Sequence, residues 1–193
     1  MPAPKILVIP GSSRIGSNNA RLAALAAKEL VLAEAEVTRI SLSDYPLPLF
    51  DADLMSDSGI PQAAVQLKRM LTAHRGVFIT SPEYSASVTP LIKNTIDWIT
   101  RVRDRGEAAN AAFKGRVFAL GSASAASHGG LRALLALRQI LELGCGALVI
   151  PEQVAVGNAD QAFDDRDNLR DETLAAALKA MARRLVDLAS VMG

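Results

Sequence analysis

The sequence predicts an α/β domain in three layers, in which an open sheet of five parallel strands carries helices on both faces. Three observations favour this fold class. Short apolar runs alternate with helical patterns along the chain. Several of these runs lead into stretches rich in Gly and Ser, as strands of such a sheet lead into its ligand-binding loops. The length of 193 residues falls within the ~100–200 residues usual for one domain, so we expect residues 1–193 to form a single domain.

The first half of the chain begins with its clearest strand. The run Ile6–Ile9 is continuously apolar, as expected of a parallel strand that is covered on both faces. A helix follows from near Ser17, because apolar residues recur at helical spacing as far as Ala33. Residues 37–42 form a weaker second strand, whose polar positions suit the edge of the sheet. Residues 43–60 are predicted as a long loop, which we interpret as an interface arm.

Three more strands and four more helices are predicted after this arm. The strands are Val77–Thr80, Arg116–Leu120 and Ala147–Ile150. The helices run from Pro61 to a point before Gly76, from Thr89 or Pro90 to Ile99, over Leu131–Leu143, and from Asp171 to Leu188. The charged segment Arg101–Glu107 is expected to be solvated. With right-handed crossovers the natural strand order is 2-1-3-4-5, which places a ligand crevice outside the carboxyl ends of the first and third strands.

The stretch Gly11–Asn19, between the first strand and the first helix, is typical of an anion-binding turn. The first turn of a helix offers unpaired N–H groups and the positive end of the helix dipole, and Ser, Asn and Arg side chains add donors. The stretch is not a P-loop, because Ser17 and Asn18 stand where Lys and Ser/Thr are required, and it lacks the glycine pattern of a dinucleotide fingerprint. It suits one phosphate monoester. The alternative is a polar turn in which Ser17 only caps the helix.

Two further loops of small and polar residues, Ser81–Ser87 and Gly121–Gly130, follow the third and fourth strands. In the predicted order the loops after the first and third strands face each other, which suits a ligand with a phosphate at one end and a flat ring at the other. Flavin mononucleotide (FMN) has this shape, and Tyr84 can stack on its ring. As alternatives, Tyr84 is a half-buried aromatic, and Pro82 and Glu83 are ordinary turn residues.

The composition argues against several other classes of protein. The net charge is +1, with 21 basic and 20 acidic residues mixed along the chain, so neither a nucleic-acid surface nor a membrane anchor is indicated. The single cysteine, Cys145, is interpreted as a buried inert thiol, and with two histidines the chain has too few ligands for an ordinary zinc site. The amino-terminal apolar run is too short for a signal peptide. We expect a cytoplasmic protein without a bound metal.

Two motifs together resemble the NADPH-dependent FMN reductase family, which includes chromate, quinone and azo reductases. The first motif is Gly11-Ser12-x-Arg14-x-x-Ser17-x-Asn19. The second is Pro82-Glu83-Tyr84, followed by Pro90-Leu91-x-Lys93-Asn94-x-x-Asp97-Trp98. The similarity covers about Lys5 to Ile150, and the two motifs in this order are much more specific than either alone. The resemblance implies a flavodoxin-like fold, tightly bound FMN and reduction by NADPH or NADH.

The resemblance also implies which residues bind FMN. The expected cofactor-binding residues are Ser12, Arg14, Ser17, Asn18 and Asn19 at the phosphate, Pro82, Glu83, Tyr84 and Ser85 beside the isoalloxazine ring, and Ser122 from the third loop. Many family members have Asn at the position of Ser85 and Gly near Thr89. The residues from Lys93 to Trp98 are interpreted chiefly as helix packing. Because hydride is accepted at N5 of the flavin, no catalytic protein residue is expected, although His128 as a proton donor is a further hypothesis.

The expected function is an FMN-dependent NAD(P)H oxidoreductase that reduces quinones, azo compounds, flavins or metal oxyanions such as chromate by a ping-pong mechanism. The alternatives are a flavodoxin-like electron carrier that docks on protein partners and a colourless binding module for a phosphorylated metabolite. Flavodoxins tend to be strongly acidic, so the net charge of +1 disfavours the carrier. We also expect a homodimer or homotetramer, because the helix Leu134–Leu141 and the proline-rich arm offer more apolar surface than one sheet face covers.

Overall fold

The computed structural model describes residues 2–192 and contains one fully parallel five-stranded sheet in the order β2-β1-β3-β4-β5. The strands are β1 (Lys5–Pro10), β2 (Glu36–Arg39), β3 (Gly76–Thr80), β4 (Val117–Ala123) and β5 (Leu148–Val156). β1 pairs with β2 on one side and with β3 on the other, so the chain reverses its direction of winding at β1. The predicted fold class and strand order are confirmed.

Six α-helices lie within these residues, and five of them cover the two faces of the sheet. They are α1 (Asn18–Leu32), α2 (Ala52–Ser58), α3 (Gln62–Thr72), α4 (Pro90–Arg101), α5 (Leu131–Gln139) and α6 (Glu172–Val191), with a π-helical turn (Ile140–Gly144) continuing α5. α1 and α6 pack on one face, where Leu22, Leu30 and Leu185 are fully buried. α3, α4 and α5 pack on the other face, around Ile92, Phe118 and Leu134. None of the helices described here is long and apolar enough to span a bilayer.

Several helices begin where a side chain supplies an acceptor for their first N–H groups. Ser17 caps α1, Thr89 caps α4 with Pro90 at the first helical position, and Asp171 caps α6 by accepting from Thr173 and Leu174. The N-cap residues of α3 and α5, Pro61 and Gly130, make no such side-chain bond. α5 nevertheless has a cap. Its cap comes from elsewhere in the chain, as described below.

The segment predicted as a loop over residues 43–60 contains the short helix α2, none of whose residues is buried. The rest of this arm is held against α4. Trp98 Nε1 and Asn94 Nδ2 both donate to the carbonyl of Pro48, at 2.7 and 2.9 Å, and Asn94 Oδ1 accepts from the N–H of Phe50 at 2.7 Å. The Phe50 ring also meets Trp98 edge-on, with ring centroids 5.1 Å apart. Asn94 and Trp98 therefore anchor the arm as well as packing α4.

The charged segment Arg101–Glu107, which was predicted to be solvated, is mostly exposed but is tied to the helical layer at two of its carboxylates. The side chain of Lys68, only 6 % exposed, lies on α3 and reaches this segment. Its Nζ donates to Asp104 Oδ2 at 2.8 Å and to Glu107 Oε2. A buried ammonium group requires such partners, because burial without them disfavours its charged form. The ion pairs fasten the segment to the helical layer.

Two strands extend further than the sequence predicted. β4 continues through Ala123 into the predicted third loop, and β5 continues to Val156. The register between them shifts between Phe118 and Leu120, at the level of Pro151. Proline has no N–H to donate to a ladder, so a local irregularity is the usual way to keep it inside a strand. The longer strands bring Ser122 and Ala123 to the edge of the crevice.

Candidate functional site

The predicted crevice is formed by three loops at the carboxyl ends of β1, β3 and β4. We call them the first, second and third loops: residues 11–17, 81–89 and 124–130. The N–H of Gly11 donates to the Thr80 carbonyl at 2.6 Å, and the N–H of Ser81 donates to the Gly121 carbonyl at 2.9 Å. A Cβ at Gly11 would lie 2.5 Å from the Thr80 oxygen, so only glycine permits this close approach of β1 and β3.

The first loop leaves many backbone donors free at the start of α1. Within residues 2–192, the N–H groups of Ser12, Ser13, Ile15 and Gly16 have no protein acceptor. Ser17 Oγ accepts from the N–H of Ala20 at 3.0 Å, and the first turn of α1 contains no acidic residue. Free N–H groups at the positive end of a helix are an arrangement suited to an anion, as the sequence predicted for this loop.

Arg14 is the cation of this loop. Its backbone N–H donates to Ser12 Oγ at 3.3 Å, whereas its exposed guanidinium has no ion pair or hydrogen bond to the described part of the chain. Ser12 Oγ accepts this bond and keeps its own O–H to donate. The Ser12 hydroxyl and the Arg14 guanidinium, two of the predicted phosphate contacts, are therefore available to a ligand in this arrangement.

The two asparagines at the start of α1 have protein partners. Asn19 is buried, and its carboxamide spans the backbone of Ala123, donating from Nδ2 to the carbonyl at 2.7 Å and accepting at Oδ1 from the N–H at 3.1 Å. Asn18 Nδ2 donates to Asp160 Oδ1 at 2.8 Å. The Asn19 side chain thus ties α1 to β4, contrary to its predicted contact with phosphate, and only its backbone N–H remains for an anion.

Two buried threonines outside the predicted set hold the first loop in place. Thr80 Oγ1 donates to the carbonyl of Asn19 at 3.0 Å, and Thr89 Oγ1 donates to the carbonyl of Gly11 at 3.2 Å. The pair Thr89-Pro90 is an ordinary helix-start signal, so its capping role was readable from the sequence. The hydrogen bond from Thr89 to Gly11 could not be predicted from the sequence, because the two residues are 78 positions apart.

The second loop ends in a tight two-residue turn. Tyr84 and Ser87 exchange two backbone hydrogen bonds of 3.0 Å, and the residues between them, Ser85 and Ala86, have φ angles of 48° and 63°. Positive φ at both central residues defines the type I′ turn, for which Asn-Gly is the favoured pair. Tyr84 is 56 % exposed, so the face of its ring is accessible to a ligand beside half-buried Pro82.

Glu83 does not present its carboxylate to a ring. Its side chain is only 5 % exposed and is directed to the start of α5, where Oε2 accepts from the N–H of Arg132 at 3.1 Å. Oε1 accepts from Arg132 Nε at 2.7 Å and lies 3.0 Å from His128 Nε2. Only the backbone of Glu83 is left to border a ligand. Arg132 was not predicted as part of the site.

Ser122 is fully buried at the end of β4, and among the described residues its Oγ has no hydrogen-bond partner. A Cβ at Gly130 would collide with this oxygen, so the third loop packs directly on it. A buried hydroxyl without a partner is uncommon in proteins and marks a position where a ligand or water completes the bonding. The predicted residue is therefore covered by the third loop, with its hydroxyl unsatisfied.

These features fit FMN. The first loop offers donors for a phosphate, the second offers an exposed aromatic ring, and Ser122 leaves a polar atom to be satisfied. An open parallel sheet with these loops at the point where the winding reverses defines a mononucleotide-binding α/β protein.

The sequence pattern of the NADPH-dependent FMN reductase family matches residues 4–161, and the chain belongs to this family. Quinone reductase of Escherichia coli K12 is 34 % identical over 138 residues, which are 71 % of this chain and 69 % of the relative. An NAD(P)H-dependent FMN reductase of Pseudomonas aeruginosa is 32 % identical over 170 residues, 87 % and 85 % of the two chains. Among solved structures, the flavoenzyme NAD(P)H:(acceptor) oxidoreductase FerB of Paracoccus denitrificans superposes with a TM-score of 0.78 at 27 % identity, covering 99 % of this chain and all of FerB.

The protein is therefore a flavodoxin-like oxidoreductase with FMN as cofactor and NAD(P)H as co-substrate. The predicted family, enzyme class and cofactors are confirmed.

Proposed function

We propose that this chain is a reductase of quinone-type acceptors. The observation that carries the proposal is the placement of a loop with free N–H donors and a loop with an exposed aromatic ring at one edge of the sheet. Such a crevice holds a flat mononucleotide and leaves one face open for a second flat molecule. Relatives of this chain bear the name quinone reductase, which supports the choice of acceptor. Azo compounds, free flavins and chromate are further acceptors within the proposal.

The residues have distinct roles in this proposal. Ser12, Arg14, Ser17 and the backbone N–H groups at Asn18 and Asn19 hold the phosphate. Pro82, Tyr84, Ser85 and the backbone of Glu83 border the ring, and Ser122 donates to it from below the third loop. FMN, when bound, supplies the two-electron chemistry that connects NAD(P)H to the acceptor. The protein orients the reactants and requires no nucleophile of its own.

One open crevice serves both reactants in turn, so we propose ping-pong kinetics. NAD(P)H enters first, its oxidised product leaves, and the acceptor then occupies the same place beside Tyr84. Initial rates at several fixed acceptor concentrations should give parallel double-reciprocal plots. Intersecting plots, together with an isolated ternary complex, would show two separate sites instead.

The proposed function is tested by the visible spectrum of the purified protein and by NADPH oxidation. We expect a yellow protein that oxidises NADPH much faster when a benzoquinone is added. A colourless protein would contradict the assignment of the crevice. A yellow protein that does not oxidise NADPH in the presence of quinone would instead favour an electron carrier.

We further propose that the chain is a homodimer or homotetramer in the cytoplasm, where NAD(P)H is available. The support is apolar surface that the single chain leaves exposed. Leu49 in the arm is 78 % exposed, Leu143 after α5 is 81 % exposed, and no residue of α2 is buried. Exposed leucines at this density favour association.

A further inference from the structure

The Glu83 carboxylate is an unusual feature of the crevice, because it comes from one ligand loop and is bound by the next. Oε2 accepts from the backbone N–H groups of Arg132 and Ala133, at 3.1 and 3.4 Å. Oε1 accepts from Nε and Nη2 of Arg132 and faces His128 Nε2. We call Glu83, His128 and Arg132 the loop clamp. It joins Glu83 to residues 45 and 49 positions further along the sequence.

The clamp provides the N-terminal capping group that α5 lacks within its own segment. Gly130 at the N-cap has a φ of 80° and no side chain, and the first turn of α5 contains no acidic residue. A carboxylate at a helix N-terminus satisfies free N–H groups and interacts favourably with the helix dipole. Glu83 supplies this carboxylate from the second loop, so the position of α5 depends on the position of that loop.

The Glu83 carboxylate stays ionised over the ordinary range of pH. Burial alone raises the pKa of Glu83, but the hydrogen bonds from Arg132, His128 and the Ala133 N–H, with the charge of Arg132, lower this pKa to about 2. Two guanidinium N–H groups converge on Oε1 and two backbone N–H groups on Oε2, and hydrogen bonds to a charged acceptor are among the stronger ones. Its side chain has little freedom to move away from α5.

Glu83 is covalently next to Tyr84, whose exposed ring borders the crevice. Fixing the Glu83 side chain therefore fixes the backbone that carries Tyr84, and it also fixes the third loop through His128. A loop that is ordered before binding loses less freedom when a ligand arrives, and so binds it more tightly. The first loop and the start of α1 are held by hydrogen bonds from Thr80 and Thr89, and the first loop makes no hydrogen bond to Glu83, His128 or Arg132 among the described residues.

We propose that Glu83 is a positioning residue whose contact with Arg132 sets the affinity of the crevice for the isoalloxazine ring, and not for the phosphate. The proposal rests on the FMN placement given above. A purely structural role in capping α5 would lower the stability of the fold without changing flavin affinity in the folded protein.

The test uses holoprotein loaded with FMN or with riboflavin, which has the ring but no phosphate. Flavin release on dilution is followed by fluorescence, well below the unfolding temperature. In Glu83→Gln and in Arg132→Ala we expect the dissociation constants of FMN and riboflavin to rise by the same factor, about tenfold, as for the loss of one charge-assisted contact. The double variant should bind no more weakly than the weaker single variant. Glu142→Gln, which breaks the exposed ion pair with Arg138 on the same helical segment, is the matched control and should release both flavins like the wild type.

Unchanged riboflavin affinity in both single variants would overturn the proposal, as would a loss of affinity confined to FMN. If Glu83→Gln does not fold, Arg132→Ala decides, because that side chain is 56 % exposed. A wild-type protein that holds neither flavin would overturn the FMN placement itself. Wild-type binding with unaffected variants would overturn only the role of the clamp.

Discussion

At the scale of single residues, side chains in the crevice divide into those that are free for a ligand and those that the protein already uses. Arg14 and Tyr84 are exposed, and neither side chain is hydrogen-bonded within the described chain. Asn19 and Glu83 are held by backbone and side-chain partners. The free side chains determine what the crevice binds, and the occupied ones determine its shape.

Arg14→Ala should weaken the binding of FMN and leave the binding of riboflavin unchanged. The guanidinium is the cation of the first loop and has no partner in the described chain. Hydrogen bonds to charged groups contribute about 1.5–3 kcal/mol, so FMN affinity should fall roughly ten- to a hundredfold. Arg14→Lys should recover part of it, because a point charge replaces a planar fork. Titration with both flavins measures the effect. Arg105→Ala, in the segment after α4, is the control, and equal weakening of riboflavin would exclude phosphate contact as the role of Arg14.

Ala86→Gly should stabilise the protein. Ala86 has a φ of 63°, and a left-handed conformation costs a residue with Cβ about 1–2 kcal/mol. Part of that gain is offset by the freedom of glycine in the unfolded chain, about 0.5–1 kcal/mol. We expect a net gain of about 0.5–1 kcal/mol in urea unfolding. Ala177→Gly in α6 should have the opposite sign, and a destabilised Ala86→Gly variant would show that the turn is unstrained.

The sequence predicted the location of the site residues better than the direction of their side chains. Most candidates follow the end of an apolar strand, which the sequence shows well for β1 and β3 and less well for β4, where Ser122 is still within the strand. The partners of Asn19 and Glu83 are 104 and 45 to 50 positions away, and no local pattern connects such residues. The resemblance to the family indicated which loop positions to expect near the cofactor. It did not indicate which protein atoms the side chains of Asn19 and Glu83 contact.

At the scale of elements, α5 shows how one helix depends on a distant loop. Its first turn is completed by Glu83, and it continues into the π-helical turn Ile140–Gly144 before β5 begins. The helix is thus capped by a group whose charge depends on pH. This gives α5 a titratable contribution to stability.

Glu83→Gln should remove a pH-dependent part of the free energy of unfolding. The pKa of Glu83 is lowered in the folded protein from 4.5 to about 2, so the native state favours the ionised carboxylate. Its contribution is fully present above pH 4.5 and is lost as the pH falls towards 2. Urea unfolding of both proteins at pH 6, 4 and 3 should show a difference that shrinks on acidification. A difference independent of pH would mean that the charge of Glu83 does not stabilise the fold.

Helices and strands were predicted from the periodicity of apolar residues, and the features that this pattern did not show have physical reasons. The helix α2 buries none of its residues, so it leaves no apolar stripe in the sequence. β5 contains Pro151, which a sequence pattern treats as the end of a strand. The burial of Lys68 could not be predicted from the sequence, because its partners Asp104 and Glu107 are 36 and 39 positions away.

At the scale of the whole molecule, the sheet separates two apolar cores. One lies between the sheet and the pair α1 and α6, and the other lies beneath α3, α4 and α5. The family match ends at residue 161, yet α6 contributes Leu178, Met181 and Leu185 to the first core. The carboxyl-terminal helix is thus an integral part of the fold.

The proposed oligomer should depend on the exposed apolar surface after α5. We expect light scattering at micromolar concentration to give two or four times the mass of one chain. Leu143→Asp should lower this mass, because a charge placed in an apolar contact is costly to desolvate. Leu32→Asp, at the exposed end of α1, should leave the mass unchanged and serves as the control. A monomeric wild type would rule out association through this surface.

The first loop leads into α1, which belongs to the first core, whereas the turn at Tyr84 leads into α4, which belongs to the second. The Ser85-Ala86 tip of that turn is exposed and makes no hydrogen bond to the first loop or to α1. In the proposed function, a substitution at this tip would alter the ring side of the crevice and leave the phosphate donors of the first loop in place. The tip is therefore where natural variation or laboratory selection would change the choice of oxidant at the least cost to phosphate binding.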